Sequence, residues 1–399
     1  MRKFLAMVLV VVLCGCTQNT TPNPSSRLTE QTEIRLVCTQ NSEQLEKVIT
    51  AFEKENPEIA VTVVEIDESD NFALAAKALF SGNNYPALVL TEAEYLNGLS
   101  QHLADLSAET WINTAVPNSL NEVVGQNGII AVPAEIEGIG FVYNKVVFER
   151  AGINPENVNS LDRLISTAEY LSEKIPELRD EFENLTAVFE APDEKTGEYL
   201  LNIVVSQECA SSVELVKTDI EMTFAESYRI LFDLQQYYSR KTSNSTEQNM
   251  EEVRYIITLQ SHKITDGSAE LSQDLGVLPV SVLGASQDSI ILNVPSFWAI
   301  NKNATRQEQT AAKKLLFWLY NSETGTKLLA EELRWLSPFN NSVKIPDNPL
   351  AEKIKIYAVS GKTMPHVLSG VGEEKRRQIK DQLDAIIEQT ELNSVTPKD

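Results

Sequence analysis

Paired carboxylates are the first chemistry this sequence offers. Glu135 and Glu137 sit two residues apart in the run PAEIEG, and two carboxyl groups flanking a glycosidic bond are what acid–base cleavage of a sugar requires. They alternate along one strand-like run, however, and no further catalytic group accompanies them. Gly284-Ala285-Ser286-Gln287-Asp288 has the opening glycine and the serine of a nucleophile elbow but lacks its closing glycine. There is no P-loop and no H-E-x-x-H. His102, His262 and His366 lie far apart, with no spacing that favours zinc over three unrelated histidines. The sequence therefore predicts no enzyme, no metal and no cofactor. What remains is binding, where carboxylates and amides meet hydroxyls and flat aromatics meet apolar ring faces.

A cysteine near the N-terminus carries a second kind of chemistry. The chain opens MRKFLAMVLVVVLCGC: Arg2 and Lys3 form a basic start, and Phe4 to Leu13 an apolar run too short to span a bilayer. Its ending, Leu13-Cys14-Gly15-Cys16, resembles the bacterial lipobox. That resemblance implies a signal peptide over 1–15, cleavage just before Cys16, and acyl chains such as palmitate on that cysteine. The mature chain would then face the periplasm or the cell exterior, held to the cell membrane by lipid rather than by a helix. Residues 16–32 continue as a tether whose TQNTTPNPSSRLTEQT has a single apolar residue and cannot pack. Fully extended, it reaches at most about 50–55 Å.

The elements that must position a binding site follow from length and periodicity. The 399 residues exceed what one core organises, so two lobes are expected. The net charge of −23, about −25 once Arg2 and Lys3 leave, repels nucleic acid and anionic headgroups. Cys38 and Cys209, the remaining cysteines, read as two buried free thiols, against a disulfide between distant strand-like runs. Ile34–Cys38 is a buried-strand pattern. Leu45, Val48, Ile49 and Phe52 make the stripe of a helix, with Asn41 and Gln44 as a capping box and Asn56-Pro57 as its stop. Ala60–Ile66 and Ala87–Leu90 are strands around a helix at Ala73–Phe80, an alternation that argues for a parallel sheet covered by helices. Further strands are expected at Ile129–Val132, Gly140–Tyr143, Tyr255–Leu259, Leu275–Leu278 and, as one longer run, Ile290–Ile300. Helices are expected at Leu161–Ile175, Phe224–Tyr238, Gln307–Tyr320 and Thr324–Leu333. A last helix buries Ile379, Leu383, Ile386 and Ile387, with Lys375, Arg376, Arg377 and Lys380 on its solvated face. Lys241–Gln248 reads as a surface loop.

Six soft motifs, in order, resemble the extracellular solute-binding proteins of ABC importers, in the branch that takes sugars and oligosaccharides. Leu45 to Val64 (LEKVITAFEKENPEIAVTVV) is similar to that family's opening helix and second strand. Tyr85-Pro86-Ala87-Leu88-Val89 stands where the family has Pro-Asp-Val-Val, with Ala87 replacing the aspartate. Ile129 to Pro133 followed by Phe141 to Ile153 is the best match. Asp274 to Pro279, Trp298 to Asn301 with the Ala311–Trp335 helix pair, and Ala358 to Pro365 complete the series; the last resembles the maltodextrin-binding proteins. The resemblance implies a two-lobe, type II-like α/β periplasmic-binding-protein fold, each lobe a mainly parallel sheet flanked by helices, with the ligand cleft between. It implies a first lobe of 33–136 and 298–343, a second of 140–292 and 350–399, and hinge crossings at 137–139, 293–297 and 344–349. It also implies a monomer that closes on its solute and delivers it to the transmembrane subunits of a permease.

Ligand contacts are carried over position by position. Glu137 falls where the maltodextrin-type proteins keep a ligand-binding glutamate. Thr91, Glu94 and Tyr95 occupy the first lobe's mouth, and Thr39, Gln40 and Asn41 follow the first strand. Glu190, Asp193, Glu194 and Tyr199 follow the strand ending near Phe189. The chain departs from the family at its aromatics: Ser261-His262-Lys263 and His366 to Gly370 stand where tryptophans are expected. Trp318 reads as core, Trp111 and Trp335 are unplaced, and Trp298 is either a cleft residue or part of a hinge-strand core. Long maltodextrins fit poorly; a smaller sugar fits better. The alternatives are a polar or cationic non-sugar solute, or a sensor or adhesin lipoprotein of the same fold.

Overall fold

The computed structural model describes residues 31–382 and 385, except 40, 67–77, 79, 81, 83–84, 191–193, 207–208, 210–211, 218–233, 238–252, 262–273 and 280–287. The leader, Cys16, nearly all of the tether, Gln40, Asp193, His262, the Gly284–Asp288 run and the Lys241–Gln248 loop thus lie wholly or largely outside the described residues. So do the expected helices at Ala73–Phe80 and Phe224–Tyr238, and the side chains of Leu383, Ile386 and Ile387.

Among the described residues the strands run β1 (Thr32–Cys38), β2 (Ile59–Glu65), β3 (Leu88–Thr91), β4 (Val124–Gly125), β5 (Gly128–Ile129), β6 (Val132–Pro133) and β7 (Glu137–Asn144). They continue as β8 (Ala187–Phe189), β9 (Tyr255–Ser261), β10 (Leu275–Leu278), β11 (Ile290–Asn293), β12 (Phe297–Ile300) and β13 (Thr363–Pro365). The helices are α1 (Ser42–Glu55), α2 (Ala93–Leu99), α3 (Lys145–Arg150), α4 (Leu161–Leu178), α5 (Glu194–Val205), α6 (Ser212–Lys217), α7 (Arg306–Asn321), α8 (Glu323–Glu331) and α9 (Pro349–Val359). No described helix is long and apolar enough to cross a membrane.

Two large sheets result, one per lobe, beside a two-stranded β4-β5 ribbon. The first has the order β2-β1-β3-β12-β6, parallel except for β12. The second has the order β13-β11-β7-β9-β8, with β10 also on β7; here β7 alone runs against the others. β7 is the spine of its sheet: β9 lies along one side, while β11 and β10 lie end to end along the other. Gly138 permits α9 to lie on this spine, because a Cβ there would come within 2.2 Å of Ile354.

Local sequence accounts for most elements. α1 buries the predicted stripe Leu45, Val48, Ile49 and Phe52 and stops at Asn56, whose side-chain amide donates to the Phe52 carbonyl. The expected Asn41–Gln44 capping box does not form: Asn41 is left-handed (φ 63°) and its side chain makes no cap. A capping box does form at Thr305 and Glu308, opening α7. Two strand expectations are corrected. Ile129–Val132 is broken into β5, which turns back on β4, and β6, which joins the first sheet. Ile290–Ile300 is two strands in different sheets, because Pro295 has no N–H to continue a ladder. Cys38 and Cys209 are buried in separate cores and do not form a disulfide. The basic cluster after residue 372 lies on a helical segment with Ile379 buried beneath it, and Arg376 pairs with Glu198.

The crossings between sheets are short and packed. β6 ends at Pro133 and β7 begins at Glu137; β11 ends at Asn293 and β12 begins at Phe297. The first crossing is therefore 134–136 rather than the expected 137–139, since Glu137 already pairs with Asn293 inside the second sheet. The second narrows to 294–296. The Ala134 N–H donates to the Ser296 carbonyl, and the Ile136 N–H to the Leu336 carbonyl, so the two crossings are bonded to one another and the first also to the segment that follows α8. One apolar cluster runs through them, joining Val37 and Val89 of the first sheet to Val142 and Ile290 of the second through Ile136, Val294, Leu336 and Ile354. Lys355 of α9 is buried there and donates to the carbonyls of Ser337 (2.7 Å) and Phe339 (2.8 Å).

Candidate functional site

Register places one edge of each sheet at the crossings. In the first sheet Val37 lies opposite Val89, Thr91 opposite Phe297, and Phe297 opposite Pro133. The residues that follow β1, β3 and β6, and those that precede β12, thus share one edge. In the second sheet Phe189 lies opposite Ile257, Ser261 opposite Ile139, Glu137 opposite Asn293, and Leu292 opposite Pro365. Glu190, Ser261, Glu137, Asn293 and His366 thus share the other edge. Two three-residue crossings connect these edges, so the carboxyl ends of the parallel strands in both lobes flank them. This is where open α/β sheets take ligands.

On the second-lobe edge the polar side chains are already paired. Glu137, 6 % exposed at the head of β7, accepts a 2.9 Å hydrogen bond from Asn293 Nδ2. Glu190, after β8, accepts one of 3.1 Å from Gln260 Nε2, while its own N–H donates to the Ile257 carbonyl. Asn293 Oδ1 is buried without a hydrogen-bond partner among the described residues. Ser261 and Glu135 are buried nearby in sequence, at the end of β9 and in the first crossing.

The first-lobe edge is sparer. Thr91 ends β3 with its Oγ1 buried and without a partner among the described residues. Thr39 and Asn41 are half-buried after β1. Glu94 and Tyr95 are half-buried in the first turn of α2, where Tyr95 packs on the crossing cluster.

Two sequence candidates stand elsewhere. Trp298 is removed from the cleft: it is 1 % exposed in the first-lobe core, where its Nε1 donates to Tyr320 Oη (2.7 Å). Tyr320 in turn donates to the Ala134 carbonyl (2.6 Å), and burial holds its phenol well above its usual pKa, so it stays a donor. Tyr199 is 5 % exposed in the second-lobe core and meets the His366 ring edge-on at 5.8 Å. Glu194 opens α5, its side chain outside the described residues.

Asn293, Gln260 and Ser261 are the polar groups the sequence did not point to as site residues. The available signal was Pro295, which marks a crossing whose flanking residues must sit at a strand end. The edges share one electrostatic character: Glu65, Glu92, Glu94, Glu135, Glu137 and Glu190 stand at or just past these strand ends, and among the described residues at these ends there is no lysine or arginine. An anionic solute is thereby disfavoured. A hollow of about 650 Å³ lies away from the strand ends, on the surface of α7 beside Glu109 and Phe317; there Lys313 is already paired with Glu109 at 2.9 Å. Among the described residues no cluster of His, Cys, Asp or Glu could hold a metal.

Known proteins with this architecture share its arrangement. A family 1 extracellular solute-binding protein from Bifidobacterium longum subsp. infantis superposes with a TM-score of 0.70 at 15 % identity, covering 90 % of this chain and 95 % of that one. The sugar-binding protein MalE of Xanthomonas citri gives 0.68 at 13 % identity (92 % and 100 % covered), and a binding protein from Bacillus subtilis 0.67 at 18 % (92 % and 100 %). No curated protein matches by sequence. Residues 47–355 match the family profile described as bacterial extracellular solute-binding protein. That span covers most of the chain, from α1 through both crossings into α9, and the chain belongs to this family of bacterial extracellular solute-binding proteins.

Proposed function

We propose that the chain is the solute receptor of an ABC importer and captures a neutral, hydroxyl-rich solute of mono- to trisaccharide size. The lobes close on it over the crossings, and the closed form is what the permease subunits receive. The observation that carries the proposal is the second-lobe edge, where Glu137–Asn293 and Glu190–Gln260 form oriented acceptor–donor pairs of the kind sugar hydroxyls need. The sugar-binding MalE of similar fold supports the choice of solute class. All four tryptophans lie in or against the first-lobe core, so a long glucan would lack stacking platforms. Tyr95 is a half-buried ring at the first-lobe edge.

We infer further that the mature chain starts at Cys16 and is a monomer anchored by acyl chains, facing outward, with lobe boundaries at the crossings. Cys16→Ala should release it from membranes; retention as tight as wild type would refute the anchor.

A thermal-shift screen of sugars, polyamines and amino acids tests the solute. A true ligand at 100 times its dissociation constant adds about 2.7 kcal/mol to the folded state. The acidic edges, with no cation among their described strand-end residues, favour one second reading, a cationic solute. Stabilisation by polyamines and by no sugar would establish that reading and overturn the first.

A further inference from the structure

The chain contains two Asn-Gly pairs, Asn97-Gly98 and Asn127-Gly128, and the fold treats them differently. An asparagine before glycine is open to attack by its own backbone, because the following peptide nitrogen has no Cβ beside it. The attack requires that nitrogen to swing onto the asparagine Cγ, which a backbone held in regular hydrogen-bonded geometry resists. Gly98 lies inside α2, where the helix fixes its dihedrals and engages its N–H with the carbonyl one turn back. Asn127 has no such protection. Gln126 and Asn127 are the exposed tip of the hairpin between β4 and β5, which has two residue pairs, Val124 with Ile129 and Gly125 with Gly128. This ribbon stands apart from both large sheets, and a two-stranded ribbon is marginal by itself.

The hairpin is secured just beyond the Asn127–Gly128 peptide. The Ile129 N–H donates to Asp105 Oδ1 (3.2 Å) and Ser107 Oγ (3.0 Å), and the Ile129 carbonyl accepts the Leu106 N–H. That anchorage dictates glycine at 128. Gly128 has φ +86°, and a Cβ there would come within 2.3 Å of Asp105 Oδ1 and 2.7 Å of Ser107 Oγ. The residue the packing demands is therefore the one that leaves Asn127 most open to attack, at an exposed tip that local opening frees.

We propose that Asn127 is a site of spontaneous covalent modification, converting through a succinimide to aspartyl and isoaspartyl forms. The Gly128 nitrogen attacks Asn127 Cγ; the new N–Cγ bond forms as the Cγ–Nδ2 bond breaks, and the Gly128 proton leaves with the amide as ammonia. Water then adds to one of the two ring carbonyls. Opening at Cγ leaves an ordinary main chain with a carboxyl side chain. Opening at the main-chain carbonyl routes the backbone through Cβ and Cγ. The net exchange is water for ammonia, with no oxidant, cofactor or second protein. Both products place a carboxylate on the hairpin held by Asp105, and the isoaspartyl form adds a methylene to the backbone of a two-residue turn. Pairing of β4 with β5 should not survive that insertion, so amide exchange at Val124 and Ile129 should quicken in the converted chain.

The test is a timed incubation of the full chain in mild detergent at pH 8 and 37 °C, followed by peptide mapping with mass spectrometry and electron-transfer fragmentation to separate the two products. Conversion at Asn127 should outrun conversion at Asn97 by about tenfold or more in the native chain, since Asn97 must wait for its helix to open. The same chain in guanidinium should convert both at similar rates, which shows that the chemistry runs. Ser107→Ala removes one of the two acceptors that hold the Ile129 N–H. It should speed conversion at Asn127 by roughly two- to tenfold, the worth of one hydrogen bond. A native chain in which Asn127 stays intact while the guanidinium sample converts, or in which Asn97 keeps pace with it, overturns the proposal. An unchanged rate in Ser107→Ala overturns hairpin opening as its cause. No solute enters the experiment, so its outcome is independent of the receptor reading.

Discussion

The two lobes bring opposite resources to the edge they share. In the first lobe the large aromatics turn away from the strand ends: Trp298, Trp318, Trp335 and Tyr320 lie in one core, with Trp111 stacked on Tyr320 at 5.9 Å. What reaches the edge is short, and Thr91 Oγ1 is left without a partner among the described residues. In the second lobe the edge holds carboxylates already oriented by amides, Glu137 by Asn293 and Glu190 by Gln260. One lobe contributes a stiff wall and the other a set of aimed acceptors. Groups held in place before binding lose less freedom on binding, so the second lobe should dominate affinity and the first should dominate stability.

The largest expected effect breaks the wall. Trp298→Ala removes a fully buried indole and the donor to Tyr320, and should cost about 3–5 kcal/mol of stability in urea unfolding. A Trp298→Ala chain as stable as wild type would return that ring to the cleft.

The second lobe should answer in affinity instead. Glu137→Ala leaves partner groups unpaired and should cost about 1.5–3 kcal/mol of binding, a tenfold to hundredfold weakening by calorimetry with the sugar the screen selects. Asn293→Ala should weaken binding less, through loss of the orientation it gives Glu137. Unchanged affinity in both would show that the aimed acceptors face no ligand.

The crossing that joins the lobes can be probed by pH. Lys355 is buried between α9 and the 337–339 segment, and burial lowers its pKa to about 8. Unfolded, it holds its proton to about 10.4. Between these values the unfolded chain binds more protons, so the Lys355 contribution to stability rises with pH, by about 1–3 kcal/mol across pH 8–10. The stability of wild type relative to Lys355→Met should therefore increase over that range. Above it the buried tyrosines, Tyr320 among them, keep their protons longer than in the unfolded chain and reverse the trend. A constant difference between the two chains would mean the ammonium is not desolvated at the crossing.

What the sequence disclosed, and what it hid, follows the same division. The stripe of α1 was legible because one buried face imposes a period. Glu137 and Thr91 were legible as strand-end residues beside a motif. Gln260 was not, because it is set by pairing: it lies opposite Gly140 and meets Glu190, 70 residues away in the chain. Trp298 was ambiguous for a physical reason too. Phe297–Ile300 is buried throughout, so no alternation tells which face is the core. The run Ile290–Ile300 read as one strand although Pro295 stood inside it. Placing weight on the missing N–H would have split that run within the expected crossing at 293–297 and put Asn293 at a strand end.

The smallest expected effect is the most discriminating between the lobes. Thr91→Val keeps the shape of the side chain and deletes Oγ1, a buried hydroxyl without a partner among the described residues. Burying an unpaired hydroxyl is unfavourable, so the substitution should leave the ligand-free chain as stable as wild type or more so, by up to about 1 kcal/mol. If Oγ1 is the first lobe's contribution to the solute, binding should weaken by about 0.5–1.5 kcal/mol, the net worth of one neutral hydrogen bond. The two signs oppose each other, so thermal unfolding with and without the selected sugar separates them in one experiment. Gain without ligand and a smaller ligand-induced shift would place Thr91 in the cleft opposite Glu137. A gain with an undiminished shift would leave the first lobe a wall alone, with all directed polar contacts supplied by the second.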